Sequence, residues 1–247
     1  MTTSYSYGKD FFVKEALFTR GRITGVIGPN GSGKTTLLKT IAGMMPYRGS
    51  IMIDDRECRS YGGMERAKKV SYLPQTVKAV SLDVETLVWH GRFPWHGNYR
   101  KLTEDDARII DESLQTATVQ DLRKRDLTEL SGGELRRAYV AMMFAQNADM
   151  MLLDEPTTYM DIKSQSMLYE ILRQYAGSGH GVIMTCHGID QAFSYCDDIV
   201  VMNERTLVKC ISPGRLKEDE ASLRSIFGVS VKRSDDAGLV YPYQLVK

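Results

Sequence analysis

The 247-residue chain is predicted to have an α/β fold, with a mainly parallel sheet covered by helices on both faces. Short apolar runs alternate with segments of helical pattern along most of the sequence. Several of these runs are almost continuously hydrophobic, as expected for strands that are buried on both sides. Hydrophobic residues make up 43% of the chain and charged residues 26%, which is ordinary for a globular domain.

The predicted elements follow one another in a simple order. Residues 5–19 and 50–53 have the pattern of antiparallel strands that pack against the core. The core itself begins with the apolar run Ile23–Ile27, and a helix is predicted to follow at residues 36–42. The remaining core strands are predicted at residues 69–73, 150–153, 182–186 and 199–202.

Between about residues 77 and 130 the chain becomes helical and charged, with turn signals at Phe93-Pro94 and Gly97-Asn98. We interpret this region as a helical insertion into a single domain that spans residues 1–247. The core lobe is then expected at about residues 1–77 and 141–247, and the helical subdomain at about residues 78–140.

Charge and composition exclude several classes of protein. The net charge of +1 gives no overall attraction to nucleic acid or anionic lipid, so nucleic acid is not an expected partner. The four cysteines form no C-x-x-C pair and are expected to be reduced thiols, and Cys186, His187 and Cys196 lack the spacing of structural zinc ligands. No apolar stretch approaches the ~18 residues of a membrane span, and residues 1–7 lack the pattern of a secretory signal.

The most informative segment reads Gly-Pro-Asn-Gly-Ser-Gly-Lys-Thr at residues 28–35, which matches G-x-x-x-x-G-K-[ST] at every fixed position. A predicted strand before it and a predicted helix after it supply the context that a phosphate-binding loop needs. Backbone N–H groups of such a loop bind phosphate oxygens at the positive end of the helix. Lys34 would reach the β- and γ-phosphates, and the Thr35 hydroxyl would bind Mg²⁺. A glycine-rich turn before an ordinary helix is the alternative. The sequence thus predicts a nucleoside triphosphate site formed by Gly28, Pro29, Asn30, Gly31, Ser32, Gly33, Lys34, Thr35 and Thr36.

Two adjacent acids follow the apolar run at residues 150–153. Ligands of parallel α/β sheets gather at the carboxyl ends of strands, so both acids are expected near the phosphates. Asp154 fits the acid that holds Mg²⁺ in such proteins, and Glu155 could polarise an attacking water. Capping of the next helix is the alternative role for the two acids.

Residues 130–134 read Leu-Ser-Gly-Gly-Glu and supply a second signal. Ser131 and Glu134 have the spacing of a capping box that opens a helix through residue 146. The two glycines between them, Gly132 and Gly133, expose backbone N–H groups at a positive helix end, which suits a second phosphate contact. One chain cannot easily bring two helix ends onto one γ-phosphate, so a second copy of the chain is implied.

Taken together, these motifs resemble those of the ATPase subunit of an ABC transporter, in order and over nearly the whole chain. Residues 28–35 resemble the Walker A loop, residues 130–134 the signature, with Glu134 where many members have glutamine, and residues 150–155 the Walker B strand. Further matches are the Q-loop glutamine Gln75, the D-loop aspartate Asp161, the switch histidine His187 and the adenine-stacking aromatic Tyr7, for which Tyr5 is an alternative. Gly188 stands after the histidine, where aspartate is commoner.

The resemblance implies a P-loop ATPase that uses ATP and Mg²⁺. Its implied catalytic residues are Lys34, Glu155 and His187, and its implied Mg²⁺ ligands are Thr35, Gln75 and Asp154. Two copies would form a head-to-tail dimer with ATP between one Walker A loop and the other copy's signature. The dimer would bind a membrane permease at the cytoplasmic face of the membrane and act indirectly with a substrate-binding protein.

A finer resemblance concerns the transported solute. Residues 89–97, Trp-His-Gly-Arg-Phe-Pro-Trp-His-Gly, are similar to a segment of the importers of iron-siderophore complexes, haem and cobalamin, and residues 157–162 and 195–197 suit the iron-siderophore branch. Local packing of an aromatic-rich helix is the alternative explanation for residues 89–97. Two other functions stay open: a soluble ABC protein of translation, repair or chromosome organisation, and a non-catalytic ATP switch. The absence of coiled-coil or zinc insertions argues against the first, and intact Glu155 and His187 argue against the second.

Overall fold

The computed structural model describes residues 2–7, 11–96, 103–158, 160–212, 223–228, 230–233 and 243–246. For residues 2–7, 11–15, 230–233 and 243–246 it describes the backbone. No helix in these ranges is both long and apolar enough to cross a membrane.

A ten-stranded mixed sheet forms the centre of the molecule, with the strand order β5-β4-β1-β2-β10-β9-β3-β8-β7-β6. The five strands from β9 to β6 are parallel, and β1, β2, β4 and β5 pair antiparallel. The strands are β1 (Thr2–Tyr7), β2 (Phe11–Leu17), β3 (Ile23–Ile27), β4 (Arg48–Ile53), β5 (Arg56–Glu57), β6 (Val70–Leu73), β7 (Met150–Leu153), β8 (Gly181–Thr185), β9 (Asp198–Asn203) and β10 (Thr206–Ile211). A separate antiparallel pair joins β11 (Ser230–Arg233) to β12 (Tyr243–Val246).

Helices cover both faces of the sheet and fill the connection between β6 and β7. They are α1 (Lys34–Ile41), α2 (Gly63–Lys69), α3 (Val84–His90), α4 (Phe93–His96), α5 (Glu104–Thr116), α6 (Gly132–Gln146), α7 (Ile162–Gly177) and α8 (Ile189–Tyr195). The predicted α/β class, with an antiparallel N-terminal part and a helical insertion, is confirmed. The exact limits of the two lobes, near residues 77 and 140, stay a prediction.

Most predicted strands lie where the apolar runs placed them. β3 and β7 match residue for residue, whereas β6 begins one residue later because Lys69 is the last residue of α2. β8 is shifted one residue toward the N-terminus, so that Cys186 lies beyond its end. The antiparallel strands join the parallel ones through a single residue pair, Thr206 with Phe12, so one sheet runs through both parts.

Alternate residues of the central strands point to opposite faces, as the period of a strand requires. Met151 and Leu153 of β7 belong to one apolar cluster, which packs against α3 and α5–α8. Met150 and Leu152 belong to the other, which contains α1 and the antiparallel strands. Because β7 is buried on both sides, its carboxyl end is held rigidly, and the residues that follow it inherit that position.

Candidate active site

The phosphate loop, residues 28–33, connects β3 directly to α1. Gly28 passes so close to β9 that an added Cβ would lie 2.2 Å from the carbonyl oxygen of Met202. Gly31 and Gly33 have φ angles of 78° and 96°, in the left-handed region that glycine adopts without steric cost. Three of the loop's glycines are therefore needed for its path. Pro29, Asn30 and Gly31 form its exposed rim.

Lys34 is the first residue of α1, and its ammonium group lies beneath the loop. Its Nζ donates hydrogen bonds to the carbonyls of Gly28 at 2.8 Å and Pro29 at 3.2 Å. Burial lowers the pKa of Lys34, while the nearby carboxylates of Glu155 and Asp154 raise it. Lys34 is thus a buried cation at a helix start, where it can neutralise phosphate charge.

The loop also contains an unsatisfied polar atom. Ser32 is 3% exposed, and its Oγ has no hydrogen-bond partner among the described residues. Buried hydroxyls are normally paired, so an orphan beside a ring of backbone N–H groups fits a loop built to receive phosphate oxygens. The half-buried Thr35 and Thr36 follow in the first turn of α1.

The two acids after β7 have different environments. Asp154 is 2% exposed, and its carboxylate accepts hydrogen bonds from Thr185 Oγ1 at 2.9 Å and, more weakly, from the Tyr72 hydroxyl at 3.4 Å. Burial, followed by the Asp154 charge, raises the pKa of Tyr72, so this hydroxyl stays a donor. Asp154 is therefore fixed as a buried carboxylate, and the opposing charges of Lys34 and Asp154 suit a phosphate-bound cation.

Glu155 has a φ angle of 45°, an uncommon backbone conformation for a residue with a side chain. Its carboxylate Oε2 accepts hydrogen bonds from Gln75 Nε2 at 2.7 Å and from Thr158 Oγ1 at 3.2 Å. Its backbone N–H donates to Thr185 Oγ1 at 2.6 Å. The structure thus brings together Gln75 and Glu155, which are 80 residues apart in sequence.

Two contributors to this site, Thr185 and Arg136, were missed by the sequence analysis. The Thr185 hydroxyl accepts from the Glu155 backbone and donates to Asp154, so a single side chain aligns both acids. Arg136 is 4% exposed and donates to the carbonyl oxygens of Pro74, Gln75 and Glu155. A signal for Arg136 was available: it lies four and seven residues before the buried Val140 and Met143, on the apolar face of α6.

The signature segment, residues 130–134, opens α6 with the predicted capping box. Ser131 is the N-cap and accepts from the Glu134 backbone at 3.3 Å, and Glu134 Oε2 accepts from the Ser131 backbone at 2.8 Å. The hydrogen bonds from Ser131 lower the pKa of Glu134. Ser131 and Gly132 are exposed and Gly133 is partly exposed. Within the described residues, no hydrogen bond joins this segment to the phosphate loop of the same chain.

The remaining predicted site residues lie at element ends. Asp161 is the N-cap of α7 and accepts from both the backbone and the hydroxyl of Ser164. His187 is exposed in the turn between β8 and α8. Tyr5 and Tyr7 belong to β1, but their side chains lie outside the described residues, so the adenine-stacking role stays a prediction.

The described part of the aromatic segment, residues 89–96, is bonded to the protein interior through Arg92 and through the indole nitrogen of Trp95, although Trp95 itself is 37% exposed. Arg92 Nε donates to Asp106 at 2.9 Å and its NH1 to the Ala145 carbonyl at 2.7 Å, and Trp95 Nε1 donates to the Gln146 carbonyl at 2.8 Å. An added Cβ at Gly91 would lie 2.2 Å from the carbonyl of Met142. These residues therefore anchor α3 and α4 to the C-terminal end of α6. The predicted turn at Gly97-Asn98 lies outside the described residues, and so does Tyr159, which belongs to the segment 157–162 that suits the iron-siderophore branch.

A known protein family has the same arrangement of motifs. The family model described as "ABC transporter" matches residues 15–158, which include the phosphate loop, Gln75, the signature segment and both acids. The chain belongs to the ABC transporter family. Membership confirms the resemblance that the motifs indicated, and ABC proteins bind and hydrolyse ATP. The individual roles of the site residues stay predictions.

The chain is similar to several ATP-binding proteins of transport systems. It is 34% identical over 193 residues to the iron(3+)-hydroxamate import ATP-binding protein FhuC of Bacillus subtilis, covering 77% of this chain and 72% of the relative. It is 32% identical over 236 residues to the petrobactin import ATP-binding protein FpuD of Bacillus anthracis, covering 94% and 86%. It is also 31% identical over 194 residues to the manganese transport system ATP-binding protein MntB of Halalkalibacterium halodurans, covering 76% and 74%.

Solved structures agree with the fold. The ADP conformation of MJ1267, an ATP-binding cassette of an ABC transporter, superposes with a TM-score of 0.79 at 18% identity, covering 92% of this chain and 96% of that one. At this level of identity the likeness supports the architecture of the ATPase domain and nothing finer.

Proposed function

We propose that this chain is the Mg²⁺-dependent ATPase subunit of an importer that takes up an iron(III)-siderophore. The observation that supports hydrolysis best is the Glu155 carboxylate, which Gln75 and Thr158 hold beside the buried Asp154. Both acids follow β7, and the phosphate loop follows β3, two strands away in the same parallel sheet. Carboxyl ends of parallel strands are where such sheets bind ligands.

Each residue has a role that its surroundings suit. Lys34 and the backbone N–H groups of the phosphate loop bind and orient the phosphates of ATP, and Glu155 accepts a proton from the attacking water. His187, exposed after β8, stabilises the transferred phosphoryl group, and Tyr7 stacks on adenine. Thr35, Gln75 and Asp154 would hold Mg²⁺, which neutralises phosphate charge when bound.

The second half of each site would come from another copy of the chain. Ser131 and Gly132 are exposed at the start of α6, where backbone N–H groups of a helix end suit an anion. In a head-to-tail dimer, each signature segment would close over the ATP bound to the partner's phosphate loop, with Asp161 at the interface. This arrangement explains why exposed glycines lie at a firmly capped helix start.

The proposed cargo rests on the named relatives and on the segment at residues 89–97. Relatives at 32–34% identity are named for import of iron(3+)-hydroxamate and petrobactin. Because Arg92 and the indole nitrogen of Trp95 bond the end of α6, we attribute the similarity of this segment to a shared helical subdomain rather than to contact with the cargo. The solute itself would be selected by a membrane permease and a substrate-binding protein, with this subunit bound to the permease at the cytoplasmic face of the membrane.

Two experiments test these proposals separately. Purified chain should hydrolyse ATP with Mg²⁺ and lose turnover with EDTA, and no turnover under either condition, alone or with its co-purified permease, would refute the ATPase assignment. A deletion strain should lose radio-iron uptake when a siderophore is its sole iron source. Normal siderophore uptake combined with lost manganese, haem or cobalamin uptake would change the cargo and leave the ATPase intact.

A further inference from the structure

Arg136 is a buried arginine that forms no ion pair with an acidic side chain among the described residues. Its side chain lies in the interior on the second turn of α6, with 4% of the residue exposed. Within the described ranges its hydrogen bonds go to three backbone carbonyl oxygens and to no carboxylate. Burying a cation without such a partner is costly, so its retention here calls for a reason.

The three carbonyls belong to the two catalytic loops. One terminal nitrogen donates to Pro74 at 2.8 Å, and the other donates to Gln75 at 2.6 Å and to Glu155 at 3.3 Å. Gln75 and Glu155 are also joined directly through their side chains at 2.7 Å. Arg136 therefore contacts the backbone on both sides of the hydrogen bond that holds the Glu155 carboxylate.

The electrostatics fit a cation shared between these loops. Burial lowers the pKa of the Arg136 guanidinium, and the Asp154 charge raises it. The carbonyl dipoles and the Asp154 carboxylate thus compensate the charge of Arg136. All of these groups belong to the core lobe, whereas Arg136 belongs to the helical subdomain. Its stabilisation depends on how α6 sits against the loops that carry Gln75 and Glu155.

We propose that Arg136 is a positioning residue that transmits displacement of the signature helix to the Gln75–Glu155 pair. The inference rests on the proposed ATPase function and adds a way of regulating that site. The signature segment opens α6 and Arg136 lies one helical turn further on, so the two move together. Docking of a second copy or of the permease would then place or withdraw Glu155 through the guanidinium.

The test compares Arg136→Met with Arg92→Met in the full-length chain. Both substitutions remove a buried guanidinium. Arg136 lies near the start of α6, whereas Arg92 packs against the end of α6 and bonds Asp106 and the Ala145 carbonyl instead of the loops that carry Gln75 and Glu155. We expect Arg136→Met to lower kcat at least about tenfold with the Kd for ATP changed less than about threefold. Amide hydrogen exchange at residues 75–78 should accelerate in Arg136→Met and stay unchanged in Arg92→Met.

A double-mutant cycle with Gln75→Ala separates positioning from lost stability. If Arg136 acts through Gln75, Arg136→Met should lower kcat less than about threefold in the Gln75→Ala background. The proposal would be overturned if Arg136→Met lowered kcat equally in the wild-type and Gln75→Ala backgrounds. It would also be overturned if Arg92→Met lowered kcat as much as Arg136→Met does when both are compared at the same folded fraction. Should Arg136→Met not fold, Arg136→Lys is subject to the same two criteria. If the wild-type chain lacks ATPase activity, the proposed function fails, while hydrogen exchange still decides whether Arg136 holds the loop.

Discussion

The two ends of α6 are each held by a buried arginine, but in opposite ways. At the C-terminal end, Arg92 is paired with Asp106 and bonds the Ala145 carbonyl, all within the helical region between β6 and β7. Near the N-terminal end, Arg136 reaches out of that region to the carbonyls of Pro74 and Glu155. At the first end, the charge of Arg92 is neutralised by Asp106 within the same region. The second end depends on the loops that follow β6 and β7, and it is the end that begins with exposed signature residues.

This difference suggests how one helix can be both stable and responsive. The Arg92–Asp106 pair lies entirely within the helical region, so it can stay intact when that region moves as a unit. The contacts of Arg136 to the carbonyls of the loops after β6 and β7 change whenever α6 moves relative to those loops.

The largest effect is expected at the catalytic loops near the N-terminal end of α6. Glu155→Gln retains the volume of the side chain but removes the proton acceptor, so kcat should fall by roughly 10²- to 10⁴-fold. The variant should still bind ATP, and an ATP-loaded dimer should accumulate and be detectable by size-exclusion chromatography. Lys34→Ala is the contrasting variant and should lose ATP affinity. Unchanged turnover in Glu155→Gln would show that Glu155 is not the proton acceptor.

Mixing two inactive variants tests whether the exposed signature acts in the partner's site. A Lys34→Ala chain retains its signature, and a Ser131→Arg chain retains its phosphate loop, so a mixed dimer contains one intact composite site. Partial ATPase activity should therefore appear on mixing and should be greatest near equal amounts. No recovery at any ratio, in dimers shown by labelling to exchange subunits, would contradict the head-to-tail arrangement.

At the C-terminal end of α6 the expected effect is on stability alone. Arg92→Met leaves Asp106, which is 1% exposed, without its guanidinium, and breaking such a buried pair costs about 3–5 kcal/mol. Denaturant unfolding should show this loss. The Kd for ATP, measured well below the unfolding midpoint, should stay within about threefold. A loss of ATP affinity without a loss of stability would show that this end also takes part in nucleotide binding.

The pH dependence of the same pair sharpens the contrast. Burial raises the pKa of Asp106, but hydrogen bonds from Thr103, Arg92 and His96 outweigh burial and bring it well below the ordinary range. A folded pKa below the unfolded one stabilises the protein fully above about pH 4, and that contribution is lost as the pH falls through the folded pKa. In a His96→Gln background, which removes the histidine bonded to Asp106, the difference in unfolding free energy between the parent chain and Asp106→Asn should thus stay constant from pH 8 to 5. A decline already between pH 7 and 5 would contradict this account.

Much of this arrangement is encoded locally, and the rest is not. The strands β3 and β7 and the phosphate loop could be predicted because their signals lie within a few consecutive residues. The Ser131–Glu134 capping box was predictable for the same reason. Arg136 could not be assigned a role because its carbonyl partners lie 61, 62 and 19 residues away. The aromatic segment at residues 89–97 was noticed for its composition, but only the packing of Gly91 and Arg92 against α6 explains it.

The smallest effect is expected where charges are paired but partly exposed, at the opposite end of the sheet. Arg20 and Lys69 each form ion pairs with both Asp54 and Asp149, and Asp149 is the residue just before β7. The hydrogen bonds that Lys69 donates to Asp149 and Asp54 raise its pKa, but its side chain is 30% exposed, so water and salt screen the network. Lys69→Met should therefore cost at most about 1 kcal/mol, with the difference shrinking at high salt and kcat unchanged. A loss as large as that of Arg92→Met, persisting in 1 M salt, would mean that burial is not what distinguishes the charged cluster at α6 from this one.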